Sequence, residues 1–155
     1  HQRSQTRLLL FDAARRLGHE PRVALTSFTN FGNPQREKAS QVREAVLELE
    51  RMSEGGRSLD FEFDGEMSPD VALDYDLMRN LYPFCRLTGP ANVLVMPGLH
   101  SANISSKLVQ KLGGGTMLGP ILIGLTAPAQ IVQIGAPVGE ILNMAALAAY
   151  QSIAR

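Results

Sequence analysis

The residues able to bind or transform a ligand fall into a few stretches. Asp60-Phe61-Glu62-Phe63-Asp64-Gly65 sets carboxylates at alternate positions, the opening of a calcium loop. Such a loop closes on a bidentate glutamate at its twelfth position, where this chain has Val71, and Glu62 is too long for the third. The alternation fits a half-buried strand with its acids toward water. In Gly113-Gly114-Gly115-Thr116-Met117-Leu118-Gly119, Leu118 stands where a dinucleotide fingerprint needs its third glycine, and no Gly-Lys-Ser/Thr follows to cradle phosphates. A helix terminator and loop is the better reading. His1, His19 and His100 lack metal-ligand spacing, and Gly98-Leu99-His100-Ser101 lacks the spacing of a nucleophile elbow. Cys85, a lone cysteine, fits an inert buried residue better than a partner for His100. Ser27-Phe28-Thr29-Asn30-Phe31-Gly32-Asn33-Pro34 is different, because hydroxyls, an amide and a glycine backbone follow a strand-like run. In open α/β sheets ligands bind outside the carboxyl ends of strands. Ser27, Thr29, Asn30 and Gly32 could offer donors to a phosphate or carbonyl there; from the residues alone, an ordinary strand-to-helix connection explains them slightly better.

The elements that position these residues alternate along the chain. Gln5 to Leu17 reads as a helix closed by Gly18, with Pro21 beyond. Arg22 to Thr26 is a short apolar run of strand length, and a second helix from Gln35 to Met52 carries Ala39, Val42, Val46 and Leu49 as one stripe. After a Ser53–Ser58 loop, Leu59, Phe61 and Phe63 face inward on a strand. Ser68-Pro69-Asp70 opens the next helix with a cap residue, a proline at its first position and an acid near its positive end. Val71, Tyr75 and Met78 line the inner face of that helix. Asn92 to Met96 predicts a strand buried on both faces. A helix from Ser101 to Leu112 places Ile104, Leu108 and Leu112 on one side. Ile121–Ile123 and Ile131–Ile134 are further strand candidates, and a packed, alanine-rich helix begins near Val138. Strands alternating with helices predict a layered α/β domain with a mostly parallel sheet and flanking helices.

Composition excludes several classes. Fifteen Lys+Arg balance fifteen Asp+Glu, so no electrostatic driving force points to nucleic acid or an anionic membrane surface. The single cysteine forms no internal disulfide and suits a reducing, cytoplasmic setting. No apolar run approaches the ~20 residues of a membrane span. The chain starts at His1 without an initiator methionine or signal-peptide pattern, and we expect it to be part of something longer.

Several motifs taken in order make the sequence specific. Asn92-Val93-Leu94-Val95-Met96-Pro97, then Ser101-Ala102-Asn103-Ile104-Ser105-Ser106-Lys107-Leu108-Val109-Gln110-Lys111-Leu112-Gly113, then Gly119-Pro120-Ile121-Leu122-Ile123-Gly124-Leu125 resemble the phosphate acetyl/butyryltransferase family. The likeness extends back through Asp64-Gly65-Glu66 and Arg22 to Ser27. It implies that residues 1–155 are the C-terminal portion of a phosphotransacetylase-like domain, with the isocitrate/isopropylmalate dehydrogenase-like fold. Active members move an acyl group between phosphate and coenzyme A. Their Leu-Ser-Arg-Gly-Cys motif, with Asp-Ile downstream, corresponds here to Val132-Gln133-Ile134-Gly135-Ala136, with Glu140-Ile141 downstream. Gln133, Ile134 and Glu140 therefore mark relic positions. Glu140 could still act as a base, but an isoleucine cannot hold a phosphate, and losing one such charge-stabilising donor costs about 10²–10³ in rate.

Pro128 to Ala136 with Ile141 to Ala149 is similar, in turn, to the C-terminal transferase-like domain of large bacterial hybrid NADP-dependent malic enzymes. Ser27 to Gly32 is similar to them too. That resemblance implies a non-catalytic domain that senses acetyl-CoA and mediates homo-oligomerisation. An upstream module would oxidatively decarboxylate malate to pyruvate with NADP and a divalent metal, Mg or Mn. Ser27, Thr29, Asn30, Gly32, Asn103 and Lys107 are the expected ligand contacts, with no metal site and no cofactor in this portion. The alternatives are an active phosphate acetyltransferase and a scaffold with an empty pocket.

Overall fold

The apolar run Arg22–Thr26 forms β1, the central strand of a three-stranded parallel sheet of order β2-β1-β3. The computed structural model describes residues 14–34, 37–55, 59–113 and 115–153. The start of the helix expected from Gln5, the Gly56–Ser58 part of the expected loop, and Gly114 of the glycine cluster lie outside them. Residues 14–16 are helical and end on Gly18, whose φ of 84° provides the left-handed stop.

The contacts divide the chain into two units, residues 19–106 and residues 1–18 with 107–155. The first unit contains the sheet. Helix α1 (Glu37–Glu54) connects β1 to β2 (Glu62–Met67), giving a β-α-β arrangement of two adjacent parallel strands. Its stripe residues Val42, Val46 and Leu49 are buried, and the helix packs on β2 and β1. Two short helices, α2 (Pro69–Leu73) and α3 (Tyr75–Leu81), lead to β3 (Val93–Val95) on the other side of β1. The break between them falls at Asp74, whose side chain accepts from Leu77 N at 2.9 Å and caps α3. Ala24 and Met67 join Val71, Ala72, Met78, Cys85, Leu87 and Ala91 in one buried cluster. At ~25 cal/mol per Å² of apolar surface, such clusters supply most of the force that holds a sheet to its helices.

The strand containing the acids departs from expectation. It begins at Glu62 rather than Leu59, and its ladder to β1 is irregular between Leu25 and Thr26. Phe61 and Phe63 are half-buried, whereas Asp64 and Glu66 are buried. Gly65 makes this packing feasible. A Cβ there would lie 2.6 Å from the Leu25 carbonyl oxygen, and its φ of 145° is open to glycine alone among ordinary residues.

Helix α4 (Leu99–Leu112) begins two residues before its expected start, and Ile104, Leu108 and Leu112 on it are exposed. Among the described residues, Ile121–Ile123 and Ile131–Ile134 form no strand. Strands exist through their ladders, and these runs have no ladder partner. They are held as loop: Gln130 Oε1 accepts from Leu122 N at 3.0 Å, and Gln130 Nε2 donates to Gln151 Oε1 at 2.8 Å. Helix α5 (Val138–Ile153) buries Met144 but leaves Ile141, Leu142 and Ile153 exposed. No helix of the described residues is long and apolar enough to cross a membrane.

Candidate functional site

The densest polar arrangement of the sheet unit gathers around Glu66, near the carboxyl end of β2. Its carboxylate is inaccessible to solvent and accepts from four donors on two other segments. Oε1 accepts from Thr29 Oγ1 at 2.8 Å, Gly32 N at 3.1 Å and Arg43 Nη2 at 2.9 Å, while Oε2 accepts from Arg43 Nε at 3.3 Å. Burial on its own pushes the Glu66 carboxyl up; the Arg43 and Thr29 hydrogen bonds, the Arg43 charge and the Gly32 N–H outweigh it and hold the group below its ordinary value. The same contact raises Arg43, first through the hydrogen bond and then through the charge.

The backbone continues the connection. Phe31 N donates to Glu66 O at 2.8 Å and Ser27 N to Met67 O at 2.9 Å, while Asn30 Oδ1 accepts from Ser68 N at 2.7 Å. The Ser27–Gly32 loop is therefore fixed to the end of β2 along its length. It turns its hydroxyls inward: Thr29 is 0% exposed, with Oγ1 also 3.1 Å from Ser27 Oγ, whereas Phe28 between them is 63% exposed.

A second carboxylate pairs beside the first. Asp64 accepts from Arg86 N at 2.7 Å and from Arg86 Nη2 at 2.9 Å, and Arg86 Nη1 reaches Glu50 at 2.8 Å. The Arg86 guanidinium also lies 5.0 Å from the Phe63 ring centre, which places that ring under a cation rather than in the core. Both arginines, with Phe31, Phe84, Val46 and Leu47, border a cavity of about 430 Å³. Each cation here already holds carboxylates, so the cavity wall carries no surplus positive charge for an anion. Among the described residues no group of three or more His, Cys, Asp and Glu could hold a metal ion.

The sequence-predicted residues fall in three places. Ser27, Thr29, Asn30 and Gly32 come together around Glu66 and Ser68, with their polar groups largely engaged by the chain itself. Asn103 and Lys107 are exposed one turn apart on α4, with Asn103 O accepting from Ser106 Oγ. Gln133 and Ile134 are exposed in a turn closed by Ala136 N donating to Gln133 O, with Gly135 at φ 85°. Glu140 sits in the first turn of α5. Sequence reasoning missed Glu66 and Arg43 as a unit. Their signal is an acid two residues beyond Asp64 in the strand's alternation, and an arginine bordering the Val42–Val46 stripe.

Residues 4–149 match the family model described as phosphate acetyl/butaryl transferase. The chain belongs to this family. It is 51% identical over 139 residues to an NADP-dependent malic enzyme of Rhizobium meliloti, covering 90% of this chain and 18% of that protein. It is 39% identical over 142 residues to a phosphate acetyltransferase of Paracoccus denitrificans, covering 91% of this chain and 43% of that one. The solved EutD phosphotransacetylase from Staphylococcus aureus superposes with a TM-score of 0.81 at 32% identity, over 91% of this chain and 42% of that one. The chain thus spans about a fifth of the malic enzyme and about two fifths of the phosphotransacetylases. The transferase-family fold and the likeness to a malic-enzyme segment agree with the resemblance read from the motifs.

Proposed function

We propose that the chain is a regulatory and assembly domain of an NADP-dependent malic enzyme, that it senses acetyl-CoA in the cytoplasm, and that it does not itself transfer acyl groups. One observation carries this reading: where the family's active motif has Ser-Arg, this chain has Gln133-Ile134, and Ile134 stands fully exposed on its turn. An exposed aliphatic side chain offers neither a fork of donors nor a charge to phosphoryl oxygens. Loss of the arginine and serine together removes at least one large electrostatic contribution to acyl transfer, worth about 3–4 kcal/mol of barrier.

Further support comes from the 51% identity to a malic enzyme and from the exposed apolar faces of α4 and α5, which suit association. NADP and Mg or Mn would belong to the malate-oxidising module upstream. Acetyl-CoA would act by binding one state of the oligomer better than another, lowering malate turnover by that differential affinity. The full-length protein tests this in one set of assays. Acetyl-CoA is expected to give heat in calorimetry and to lower malate oxidation, and acetyl phosphate with coenzyme A is expected to give no turnover. Robust acetyl transfer would replace the reading with a working phosphate acetyltransferase. Absence of both heat and inhibition would leave only a scaffold.

A further inference from the structure

We infer that Glu66, backed by Arg43, is a positioning residue: it fixes the Ser27–Gly32 loop in the form that binds acyl-CoA. This inference rests on the acyl-CoA reading above and adds the device that presets the loop. The loop leaves β1 at Thr26, at the carboxyl end of the central strand, where open parallel sheets receive ligands. Left to itself, a loop with Gly32 and exposed Asn33 would sample many conformations, and a ligand would have to order it on binding.

The carboxylate of Glu66 removes that freedom from beneath. It takes the Thr29 hydroxyl at 2.8 Å and the Gly32 N–H at 3.1 Å, three residues apart, on the same oxygen. Residue Phe31, between them, donates its N–H to the Glu66 carbonyl at 2.8 Å. Because Ser27 and Thr29 face inward, the surface left for a ligand is the Phe28 ring and the backbone and amide edge around Asn30. Arg43 approaches from α1 and supplies two further donors, which keep the carboxylate charged in a place closed to water. The residues that touch the ligand and the residue that shapes them are then different. A carboxylate so buried would repel an acyl-CoA phosphate if it touched it; it acts through the loop.

The test uses the full-length protein and acetyl-CoA in calorimetry, with Glu66→Gln compared against Leu49→Ala. Leu49 is a buried α1 residue whose truncation lowers stability without touching the loop. The expected result is that Glu66→Gln binds acetyl-CoA about tenfold or more weakly, as re-ordering about one backbone residue implies. Leu49→Ala keeps wild-type affinity, and amide exchange in Glu66→Gln speeds at Gly32 ahead of the core. Equal affinity in Glu66→Gln and wild type, or equal losses in the two variants, would overturn the inference while leaving the acyl-CoA reading in place. No binding by the wild type would instead remove that reading, and the inference with it. If Glu66→Gln does not fold, Thr29→Val, which deletes one donor, decides by the same comparison.

Discussion

Replacing Glu66 by glutamine preserves its shape and removes its charge, so the energetics can be followed atom by atom. The amide oxygen can still face the donors now on Oε1, but as a neutral acceptor it holds the two loop donors, Thr29 and Gly32 N, more weakly, while Arg43 Nη2 keeps its own charge. The amide nitrogen then faces Arg43 Nε, donor against donor, where Oε2 accepts at 3.3 Å. A hydrogen bond to a charged group contributes about 1.5–3 kcal/mol and a neutral one about 0.5–1.5, so two weakened contacts and one lost amount to about 3.5–6 kcal/mol before solvent is counted. The exposed side of Arg43 lets water recover part of this, and we expect about 2–3 kcal/mol at pH 7. For a chain of this length that lowers Tm by about 4–12 °C.

Glu66 is held below its ordinary value in the fold, so its contribution is full above the unfolded carboxylate value near ~4.3 and fades as pH falls through the folded one. Urea unfolding followed by circular dichroism should therefore show a Gln deficit that is large at pH 7 and narrows as the pH is lowered through and below the carboxylate range. A midpoint unchanged from wild type at pH 7, or a deficit independent of pH, would refute the reasoning.

Three other outcomes follow from the structure. Gly65→Ala should cost about 2–3 kcal/mol in urea unfolding, because its Cβ would meet the Leu25 carbonyl at 2.6 Å and its φ is positive. Asp74→Ala should cost about 1 kcal/mol by the same measurement, through loss of the cap on Leu77 N. Burial pushes the Cys85 thiol up to about 11, so at pH 8 it is about 0.1% thiolate, and iodoacetamide labelling should run about 200-fold below that of a free cysteine until the chain is unfolded.

Much of the sheet unit was legible in the residues. The Val42-Val46-Leu49 stripe specified α1, and Ser68-Pro69-Asp70 marked the start of α2, because periodicity and capping are local properties. The phase of β2 was not legible. Read from Leu59, the alternation sends phenylalanines inward and acids outward, yet Asp64 and Glu66 are buried and the Phe63 ring lies against the Arg86 guanidinium. That outcome depends on arginines far off in sequence, Arg43 for Glu66, 23 residues away, and Arg86 for Asp64, 22 residues away. No local pattern contains such information. The apolar runs Ile121–Ile123 and Ile131–Ile134 failed as strands for a related reason: a run of strand length supplies the side chains of a strand but not the neighbour that makes it one. The loop stands out in the sequence for its polar residues, but its hydroxyls point into the protein, and the residue that organises it lies outside the motif.

Gly32 and Arg43 have a joint consequence for how this chain can change. A Cβ on Gly32 would stand 2.9 Å from Arg43 Nη2, in the space the guanidinium uses to reach Glu66. Shortening position 43 would relieve that contact, but the φ of 91° at Gly32 would still disfavour any side chain there, and the buried carboxylate at 66 would lose its counter-charge. Position 32 is therefore closed to side chains by its backbone as well as by its neighbour, whereas position 43 is held by the buried carboxylate it serves, so each resists replacement for its own reason.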